Sequence, residues 1–212
     1  MLKNHLKIAW RSLKTDRLFS TINILGLSVG LAIAILLFSF ITFERSFDGE
    51  HVDKNIHRVL VNTGEMYENE VFCTAPAAVA PALKEESPDV KYAARMLKHN
   101  FGETAYVNIN NESFIEKSLY WCDPELFSIF NVEFLNGGDQ NTLTRPNTVT
   151  ISESSAKKYF GQADPIGQTI KVDNRKELEV VGIFKDFPKN STLDCNLIAS
   201  FSSTNFSKNP TW

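Results

Sequence analysis

Hydrophobic residues form one long uninterrupted run near the start of the chain and short periodic groups after it. The run, Leu18 to Phe43, reads LFSTINILGLSVGLAIAILLFSFITF and has 26 residues without a charged side chain. As a helix rising ~1.5 Å per residue it would be roughly 39 Å long, against a bilayer hydrocarbon core of about 30 Å. The pattern predicts a transmembrane helix over residues 18–43.

Two other kinds of apolar helix compete with this interpretation. A buried helix of a soluble core rarely continues so far without a charge. A secretory signal peptide has an apolar core of about 7 to 15 residues that ends in small residues at a cleavage site. Here the apolar run is longer, and its end is marked by Phe43, Glu44 and Arg45 and not by small residues. We therefore interpret it as a retained transmembrane helix.

Residues 1–17 form a basic segment in which apolar residues recur at helical spacing. Its charged residues are Lys3, Lys7, Arg11, Lys14 and Arg17 against Asp16. The excess of Lys and Arg predicts that this end is cytoplasmic and that residues 44–212 lie outside the cytoplasm. A basic amphipathic helix of this kind typically lies in the membrane interface, and it would offer a docking surface to a cytoplasmic partner. The residues predicted for that surface are Leu2, Leu6, Trp10 and Arg11. The alternative is a positive flank that only sets the topology.

Small residues repeat along one face of the predicted membrane helix. Gly26, Gly30 and Ala34 are each four residues apart, and Asn23 lies one turn earlier on nearly the same face. In lipid, helices associate where small residues allow their backbones to approach closely, and a polar side chain favours a partner helix over acyl chains. We expect these four residues to pack against other membrane helices, although glycine is common in such helices anyway.

The first part of the exported region alternates between patterns typical of strands and of helices. A helix is predicted over Thr74 to Glu86, with Pro76 in its first turn and a bend at Pro81. Asp123-Pro124 predicts an N-cap and first position of a short helix that buries Leu126, Phe127 and Phe130. Strands are predicted over Ile56 to Thr63, Val90 to Leu97, Thr104 to Ile109, Phe114 to Trp121 and from Val132 to Phe134 onward.

The second part of this region carries clear boundary signals. Ser152 is a predicted N-cap and Gly161 a predicted C-terminal stop of a helix whose apolar face is Ala156, Tyr159 and Phe160. Asp164 to Gly167 has Asp, Pro and Gly where a type I turn prefers them. Residues 170–183 predict a hairpin with its turn at Asp173-Asn174. From Asn196 the chain becomes rich in Ser and Asn, and no further element is predicted before Trp212, so we expect the domain to be truncated there. The fold class we expect is α+β: one N-terminal transmembrane helix followed by an extracytoplasmic domain of short helices on mixed or antiparallel sheets.

Composition and motifs exclude several classes of function. Residues 18–212 carry 17 basic and 24 acidic side chains, a net charge of −7 that gives no indication of nucleic-acid binding. No GxxxxGK[ST], GxSxG, GxGxxG or HExxH motif occurs, so we expect no enzyme, no catalytic residue, no cofactor and no metal site. Of the three cysteines, Cys73, Cys122 and Cys195, any two could bridge in an oxidising compartment, which leaves one thiol over.

Five stretches of the sequence resemble the MacB/FtsX-type permeases of ABC transporters. They are RSLKTDRLFSTINILGLSVGLAIAILL, Phe47-Asp48, YWCDPELFSIFNVEFLN from Tyr120, TVTISESSAKKYFGQADPIGQTI from Thr148 and VVGIFKDFPKNSTL from Val180. The most specific part combines Lys158-Tyr159-Phe160-Gly161 with Asp164-Pro165-Ile166-Gly167. The structural motif residues carried over from the family are Phe160, Gly161, Asp164, Pro165 and Gly167. The resemblance covers nearly the whole chain.

This resemblance implies a permease subunit that works as a dimer with a separate or fused cytoplasmic ATPase in the bacterial inner membrane. Such subunits have four membrane helices, with the large periplasmic core domain between the first and the second. They are thought to convert ATP-driven movement into motion of the exported domain, in export, efflux or extraction of an envelope substrate. This sequence departs from the pattern because it stops before the second helix, so we expect a fragment or a truncated product. The alternative function is a single-pass membrane-anchored periplasmic sensor or adaptor domain.

Overall fold

The computed structural model describes residues 2–49, 55–62, 64, 70–110, 112–130, 132–139 and 141–208. The chain divides into two compact units, Met1–Gly49 and Glu50–Trp212. The first unit is helical. The second contains the sheets and the remaining helices, so the α+β fold class predicted from the sequence is confirmed.

The first unit consists of helix α1 (Leu2–Thr15) and helix α2 (Arg17–Arg45), interrupted at Asp16. α2 has 29 residues, none of them buried, and it extends one residue before and two residues beyond the predicted limits. Within the part of the chain that the structure describes, it is the one helix long and apolar enough to cross a membrane. Charged residues occur only at its ends, Arg17, Glu44 and Arg45, which is the distribution expected of a membrane-spanning helix.

Among its described residues, the second unit contains a two-stranded sheet, a nine-stranded sheet and four short α-helices. The small sheet pairs β1 (Val61–Asn62) with β2 (Val71–Phe72). The helices are α3 (Val79–Glu86), α4 (Glu125–Phe130), α5 (Glu153–Phe160) and α6 (Asn205–Lys208). The large sheet contains β3 (Met96–Lys98), β4 (Ala105–Ile109), β5 (Glu112–Glu116), β6 (Leu119–Cys122), β7 (Phe134–Gly137), β8 (Thr148–Ser152), β9 (Thr169–Val172), β10 (Lys176–Phe184) and β11 (Leu197–Ser200).

Strand β10 organises the large sheet, whose order is β3-β6-β11-β8-β10-β9-β4-β5. One edge of β10 pairs in parallel with β8, while the other pairs with β9 over its first half and with β7 over its second half. The register with β8 shifts between Val180 and Gly182. Such a bulge changes which side chains point to each face. Accordingly Val180 and Ile183 pack with one core, and Phe184 belongs to the other.

The sheet is covered on both faces, which explains why every residue of β8 and of β11 is buried. Ala156, Tyr159 and Phe160 of α5 pack on one face against Val149, Ile151, Leu178 and other strand residues. Leu126 and Phe127 of α4 pack on the other face, together with Leu143, Phe184 and Ile198. Side chains from alternate positions of a strand enter opposite cores, as the two-residue period of a strand requires.

Helix α5 and the hairpin of β9 and β10 are confirmed as predicted. The Ser152 hydroxyl accepts the Ser155 N–H, so the predicted N-cap is present. Gly161 ends the helix with φ 60°. Asp173 and Asn174 both have positive φ, 51° and 55°, as the two central residues of a type I′ turn do. The ladder resumes at the pair Val172–Lys176.

Several other predicted boundaries are wrong. The strand predicted over 56–63 shortens to Val61–Asn62 among its described residues, and the strand predicted over 90–97 begins only at Met96. α3 begins at Val79, five residues later than predicted, with Pro81 in its first turn, where no intrahelical N–H bond is needed. The strand predicted over 114–121 is two strands, β5 and β6. The Ser/Asn-rich region after Asn196 contains the buried strand β11.

Asp123 precedes α4 as predicted, but its carboxylate is engaged elsewhere. Oδ2 accepts the Arg95 Nε–H at 2.7 Å and the Arg95 backbone N–H at 2.9 Å, and Oδ1 accepts Nη2–H at 2.8 Å. The Arg95 guanidinium also lies 4.2 Å from the centre of the Phe201 ring. This bidentate ion pair fixes the chain before β3 to the start of α4, because two parallel charge-assisted bonds define both position and orientation.

Candidate functional site

The four predicted packing residues of α2 lie along one face of that helix. Asn23, Gly26, Gly30 and Ala34 are all exposed, and a Cβ atom added at either glycine would meet no atom within 4 Å. The helix therefore brings them together as a strip on which another helix could lie closely. Their packing against other membrane helices stays a prediction.

The predicted docking residues all belong to α1. Trp10 is 64% exposed and Arg11 is also exposed, while the side chains of Leu2 and Leu6 lie outside the described part of the structure. The Lys14 ammonium lies 5.7 Å from the centre of the Trp10 ring. An exposed indole with a neighbouring cation is typical of a residue at lipid headgroup depth.

The motif residues Phe160 and Gly161 form the C-terminal end of α5. The Phe160 ring is buried in the core on the α5 face of the sheet. The Gly161 N–H donates to the Lys157 carbonyl at 3.1 Å, and its positive φ turns the chain away from the helix axis. Glycine adopts this conformation at little steric cost, which gives a structural reason for its place in the motif.

The motif residues Pro165 and Gly167 lie in the turn that leads into β9, and Asp164 directly precedes that turn. The Gln168 N–H donates to the Pro165 carbonyl at 3.1 Å, and Gly167 has φ 78°. The turn therefore spans 165–168, one residue later than predicted, with glycine at the third position, where a type II turn needs a positive φ. Gly167 donates to the carbonyl of Val180 at 2.8 Å, and Val180 donates back to Gln168 at 2.8 Å, so the turn is joined to β10.

A buried carboxylate, Glu116, connects β5 with α5 and with the start of β11. Its side chain accepts the Tyr159 hydroxyl at 2.6 Å, the Asn196 amide at 3.0 Å and the backbone N–H groups of Lys117 and Ser118 at 2.9 Å each. Glu116 is 3% exposed. Burial would by itself raise the pKa of Glu116, but hydrogen bonds from Tyr159, Asn196 and the Ser118 backbone hold that pKa below its ordinary value. The charge is therefore stable in the core.

A second polar group surrounds His99 and joins three separate parts of the sheet. We name it the His99 cluster: His99, Asn100, Trp121 and Asp173. His99 Nε2 lies 2.8 Å from Asp173 Oδ2, and Trp121 Nε1 donates to His99 Nδ1 at 3.0 Å. The Asn100 amide also donates to Asp173 Oδ2 at 3.3 Å. A shallow cleft of about 340 Å³ opens beside the cluster, lined mainly by polar side chains.

The structure leaves all three cysteine thiols free. Cys73 is exposed, whereas Cys122 and Cys195 are buried. Burial raises the pKa of Cys195 to about 12 and raises that of Cys122 well above its ordinary value. These two thiols stay protonated at neutral pH and are poor nucleophiles, since the thiolate is the reactive form.

Among the residues that the structure describes, no group of three or more His, Cys, Asp or Glu side chains is placed to hold a metal ion. The charges of buried Glu116 and half-buried Asp173 are instead taken up by hydrogen bonds within the domain. These arrangements are suited to holding strands and helices together.

Sequence reasoning missed both the Glu116 network and the His99 cluster. Glu116 and Tyr159 are 43 positions apart, and His99 and Asp173 are 74 positions apart. One local signal was present, since Glu116 occupies the inward position of an alternating strand pattern, where a charge is unusual.

The chain is similar to proteins of one family. Residues 20–211 match the family described as the MacB-like periplasmic core domain. A domain of a protein described as a permease, from Porphyromonas gingivalis, has a TM-score of 0.60 and 25% identity over 72% of this chain and 64% of that chain. This chain thus spans less than two thirds of that domain. No curated protein matches the sequence.

Two further solved structures match less closely. The periplasmic region of MacB from Actinobacillus actinomycetemcomitans has a TM-score of 0.49 and 17% identity over 68% of this chain and 62% of that chain. The extracellular domain of the ABC-type transporter YknZ from Gram-positive bacteria has a TM-score of 0.49 and 18% identity over 64% of this chain and 68% of that chain. On the match over residues 20–211, the chain belongs to the family of the MacB-like periplasmic core domain.

Proposed function

We propose that this chain is part of the membrane subunit of an ABC transporter of the MacB/FtsX type. In this function it couples ATP hydrolysis by a partner ATPase to movements of its periplasmic domain, for export or extraction of an envelope substrate. One observation carries the proposal: a single chain joins a 29-residue apolar helix to a domain of the MacB-like periplasmic family.

The charge distribution supports an orientation with the N terminus in the cytoplasm of a bacterial inner membrane. Residues 1–17 contain five basic side chains and one acidic side chain, and α1 presents Trp10 and Arg11 at its surface. Basic segments are retained on the cytoplasmic side. α1 is thus in the position where a cytoplasmic ATPase subunit can bind it and pass movement to α2.

The exported domain serves in this proposal as a mechanical and binding module. Charged side chains of the domain are engaged in hydrogen bonds that join distant elements, as in the bonds of buried Glu116 to Tyr159 and of half-buried Asp173 to Tyr106. Such bonds favour movement of the domain as a unit. A second copy of the permease and the lipid bilayer are the other expected partners, with the strip around Gly26 and Gly30 packing against membrane helices.

The orientation can be tested with a thiol that the chain already provides. Cys73 is exposed, whereas Cys122 and Cys195 are buried. A membrane-impermeant maleimide applied to intact spheroplasts should label Cys73 of the full chain and should not label the Cys73→Ser variant. Labelling that occurs only after the cells are broken would place the domain in the cytoplasm and would contradict the proposal.

The coupling can be tested by purifying the full-length membrane protein from its own host membranes in mild detergent. We expect an ABC-type ATPase to co-purify, with less of it recovered for Trp10→Ala than for the control Lys7→Ala. We also expect incubation with ATP and vanadate, which traps ADP and vanadate in the ATPase after hydrolysis, to change hydrogen exchange in the periplasmic domain. Purification without an ATPase, and exchange that nucleotide does not change, would instead support the single-pass sensor or adaptor.

A further inference from the structure

A polar groove follows the outer face of β4. The core-facing side chains of this strand, Ala105, Val107 and Ile109, are buried, and those at the alternate positions point outward. The cleft of about 340 Å³ beside the His99 cluster lies at one end, and a second cleft of about 330 Å³ continues along the strand. Asn174, at the tip of the β9–β10 hairpin, lines both clefts. We name this surface the β4 groove and define it by Thr104, Tyr106, Asn108, Asn110, Ser113 and Asn174.

The amide groups of the β4 groove are held in position by one another. Asn108 Nδ2 donates to Asn174 Oδ1 at 2.8 Å, and Asn108 Oδ1 accepts the Ser113 hydroxyl. Among the residues that the structure describes, neither Asn174 Nδ2 nor the side-chain amide of Asn110 has a hydrogen-bond partner. The groove therefore presents oriented donors and acceptors, and their ordering costs a ligand little.

A strained loop forms one end of the groove. Asn100 and Phe101 have φ 46° and 55°, a left-handed conformation that an aromatic residue rarely adopts. Asn100 lines the first cleft, and its amide donates to Asp173 Oδ2 at 3.3 Å. The 2.8 Å contact of His99 with the same oxygen joins the start of this loop to the β9–β10 hairpin. Strained backbone of this kind is concentrated at ligand-binding sites.

Tyr106 supplies an aromatic ring in the middle of the groove. It is 55% exposed although β5 and β9 lie on either side of β4. Its backbone N–H donates to Asp173 Oδ1 at 2.9 Å, which holds this part of the strand against the hairpin. A tyrosine ring offers a large contact area at a low cost in conformational entropy. The face of a sugar ring, which carries C–H groups, packs well on such a surface.

The charges and the backbone of the groove disfavour other classes of ligand. Four charged side chains line the two clefts, and they are two of each sign: Glu103, Asp173, Lys171 and Arg175. A groove with balanced charges does not select an anion or a cation. β4 is paired with β5 on one side and with β9 on the other, so a peptide cannot add to it as a further strand. The remaining groups are amides and hydroxyls, which both donate and accept, as sugar hydroxyls do.

We propose that the β4 groove binds an uncharged oligosaccharide chain. One sugar ring stacks on Tyr106, and the hydroxyl groups of its neighbours bond with the amides of Asn108, Asn110 and Asn174. Residues 104–110 extend over about 20 Å, which is long enough for several linked sugars. The site is a property of the folded domain and does not depend on the transport function proposed above. It gives the domain affinity for neutral glycans of the compartment in which it lies.

The test is saturation-transfer difference NMR on the full chain in a detergent without a sugar headgroup, because a maltoside or glucoside would compete. The probes are chitotetraose and maltotetraose, two neutral chains of four sugars, each titrated to about 10 mM. We expect saturation to pass from the protein to at least one of them, with a Kd near the millimolar range because the groove is open to water. No transfer to either sugar would overturn the proposal.

Two variants place the sugar in the β4 groove. Tyr106→Ala should weaken binding about tenfold because the stacking ring is lost, whereas Tyr106→Phe should retain most of the affinity. Asn108→Ala removes the amide that orients Asn174 and should weaken binding about threefold or more. It leaves the Tyr106 ring in place, so it decides the question even if Tyr106→Ala does not fold.

The matched control is Tyr92→Ala, which removes an exposed aromatic ring outside the groove and should leave the affinity unchanged. Full affinity in Asn108→Ala, or an equal loss in Tyr92→Ala, would place the sugar elsewhere and overturn the proposal. Acetylated and amidated tetra-alanine, a neutral extended peptide, should not displace the sugar. Tetragalacturonate, an anionic chain of the same length, should not bind more tightly than the neutral chains. Displacement by the peptide, or tighter binding of the anion, would contradict the assignment to an uncharged glycan.

Discussion

The hydroxyl of Tyr159 donates a 2.6 Å hydrogen bond to Oε2 of Glu116, a carboxylate that is 3% exposed. Tyr159 belongs to the most specific sequence motif of the chain, and Glu116 is the last residue of β5. This bond therefore provides a structural reason for the tyrosine in the motif. It holds α5 on the sheet and neutralises part of the desolvation cost of a buried charge.

Tyr159→Phe should lower the free energy of unfolding by about 1.5–3 kcal/mol, the range for a lost hydrogen bond to a charged group. The substitution keeps the ring and removes only the hydroxyl, so the packing of α5 is preserved. Denaturant unfolding followed by circular dichroism measures the change. Lys157→Ala, which removes an exposed ion pair with Glu153 on the same helix, is the control and should change stability little. Equal stability of Tyr159→Phe and wild type would show that the bond contributes nothing net.

The stability of the domain should fall in acid through Glu116. The folded-state pKa of Glu116 is below its ordinary value of 4.5. Its contribution is therefore fully present above that value and disappears as the pH falls through the folded-state pKa. Glu116→Gln should be less stable at pH 7 and should depend less on pH between about pH 5 and pH 3. Unfolding free energies measured over this range for both proteins check the prediction. Parallel curves would contradict it.

Gly182→Ala should destabilise the junction of β7 and β10. A Cβ atom at this position would lie 3.1 Å from Gly138 Cα and 3.3 Å from the Phe134 ring. The Gly138 Cα belongs to the backbone, so the clash can be relieved only if the strands move apart. We therefore expect the free energy of unfolding to fall by about 1–3 kcal/mol. Gly167→Ala is the control, because a Cβ atom there would meet no atom within 4 Å. Its only expected cost in stability is about 1 kcal/mol, from placing alanine in a left-handed backbone conformation. A smaller loss for Gly182→Ala than for Gly167→Ala would contradict the crowding.

Replacement of Phe101 should reveal the strain in its loop. Asn and Ala both remove the Phe101 ring, whose centre lies 6.2 Å from the centre of the Phe206 ring. Asn adopts a left-handed conformation more readily than Ala does. Phe101→Asn should therefore be more stable than Phe101→Ala by about 0.5–1 kcal/mol. Thermal unfolding of the two variants under identical conditions measures the difference. Equal melting temperatures would indicate that the loop adopts another backbone conformation in solution.

Association of α2 with other membrane helices should depend on its small residues. Gly30→Leu places a large side chain on the strip and should strongly reduce helix association in lipid vesicles, measured by energy transfer between labelled full chains. Ala32→Leu changes the opposite side of the helix by a similar volume and should leave association unchanged. An equal effect of both substitutions would mean that α2 has no preferred face.

Elements with signals in adjacent residues could be predicted from the sequence. Ser152 and Gly161 mark both ends of α5, and Asp173-Asn174 marks the turn of the β9–β10 hairpin. In each case the hydrogen-bonding group and the required backbone conformation lie within a few residues of each other. The apolar run of α2 is equally local, because helix formation and hydrophobicity are properties of consecutive residues.

Elements defined by distant partners could not be predicted. β11 pairs with residues 119–122 and 149–151, while its own sequence lies next to Ser and Asn residues that suggest a loop. The break between β5 and β6 arises because the Glu116 carboxylate binds the N–H groups of Lys117 and Ser118, a contact that a hydrophobicity pattern does not record. The His99 cluster likewise depends on three regions that only the folded sheet brings together.

The place of β11 between β6 and β8 has a consequence for the biogenesis of the domain. Without residues 197–200, the other strands of the large sheet form two separate groups, β3 with β6 and β8 with β10, β7, β9, β4 and β5. A polypeptide that emerges from the ribosome or the translocon with its N terminus first therefore keeps two open half-sheets. Both half-sheets expose unpaired apolar edge strands to chaperones and proteases until residues 197–200 have been synthesised and have paired. Closure of the sheet is then one late event, after which the domain acquires its resistance to degradation.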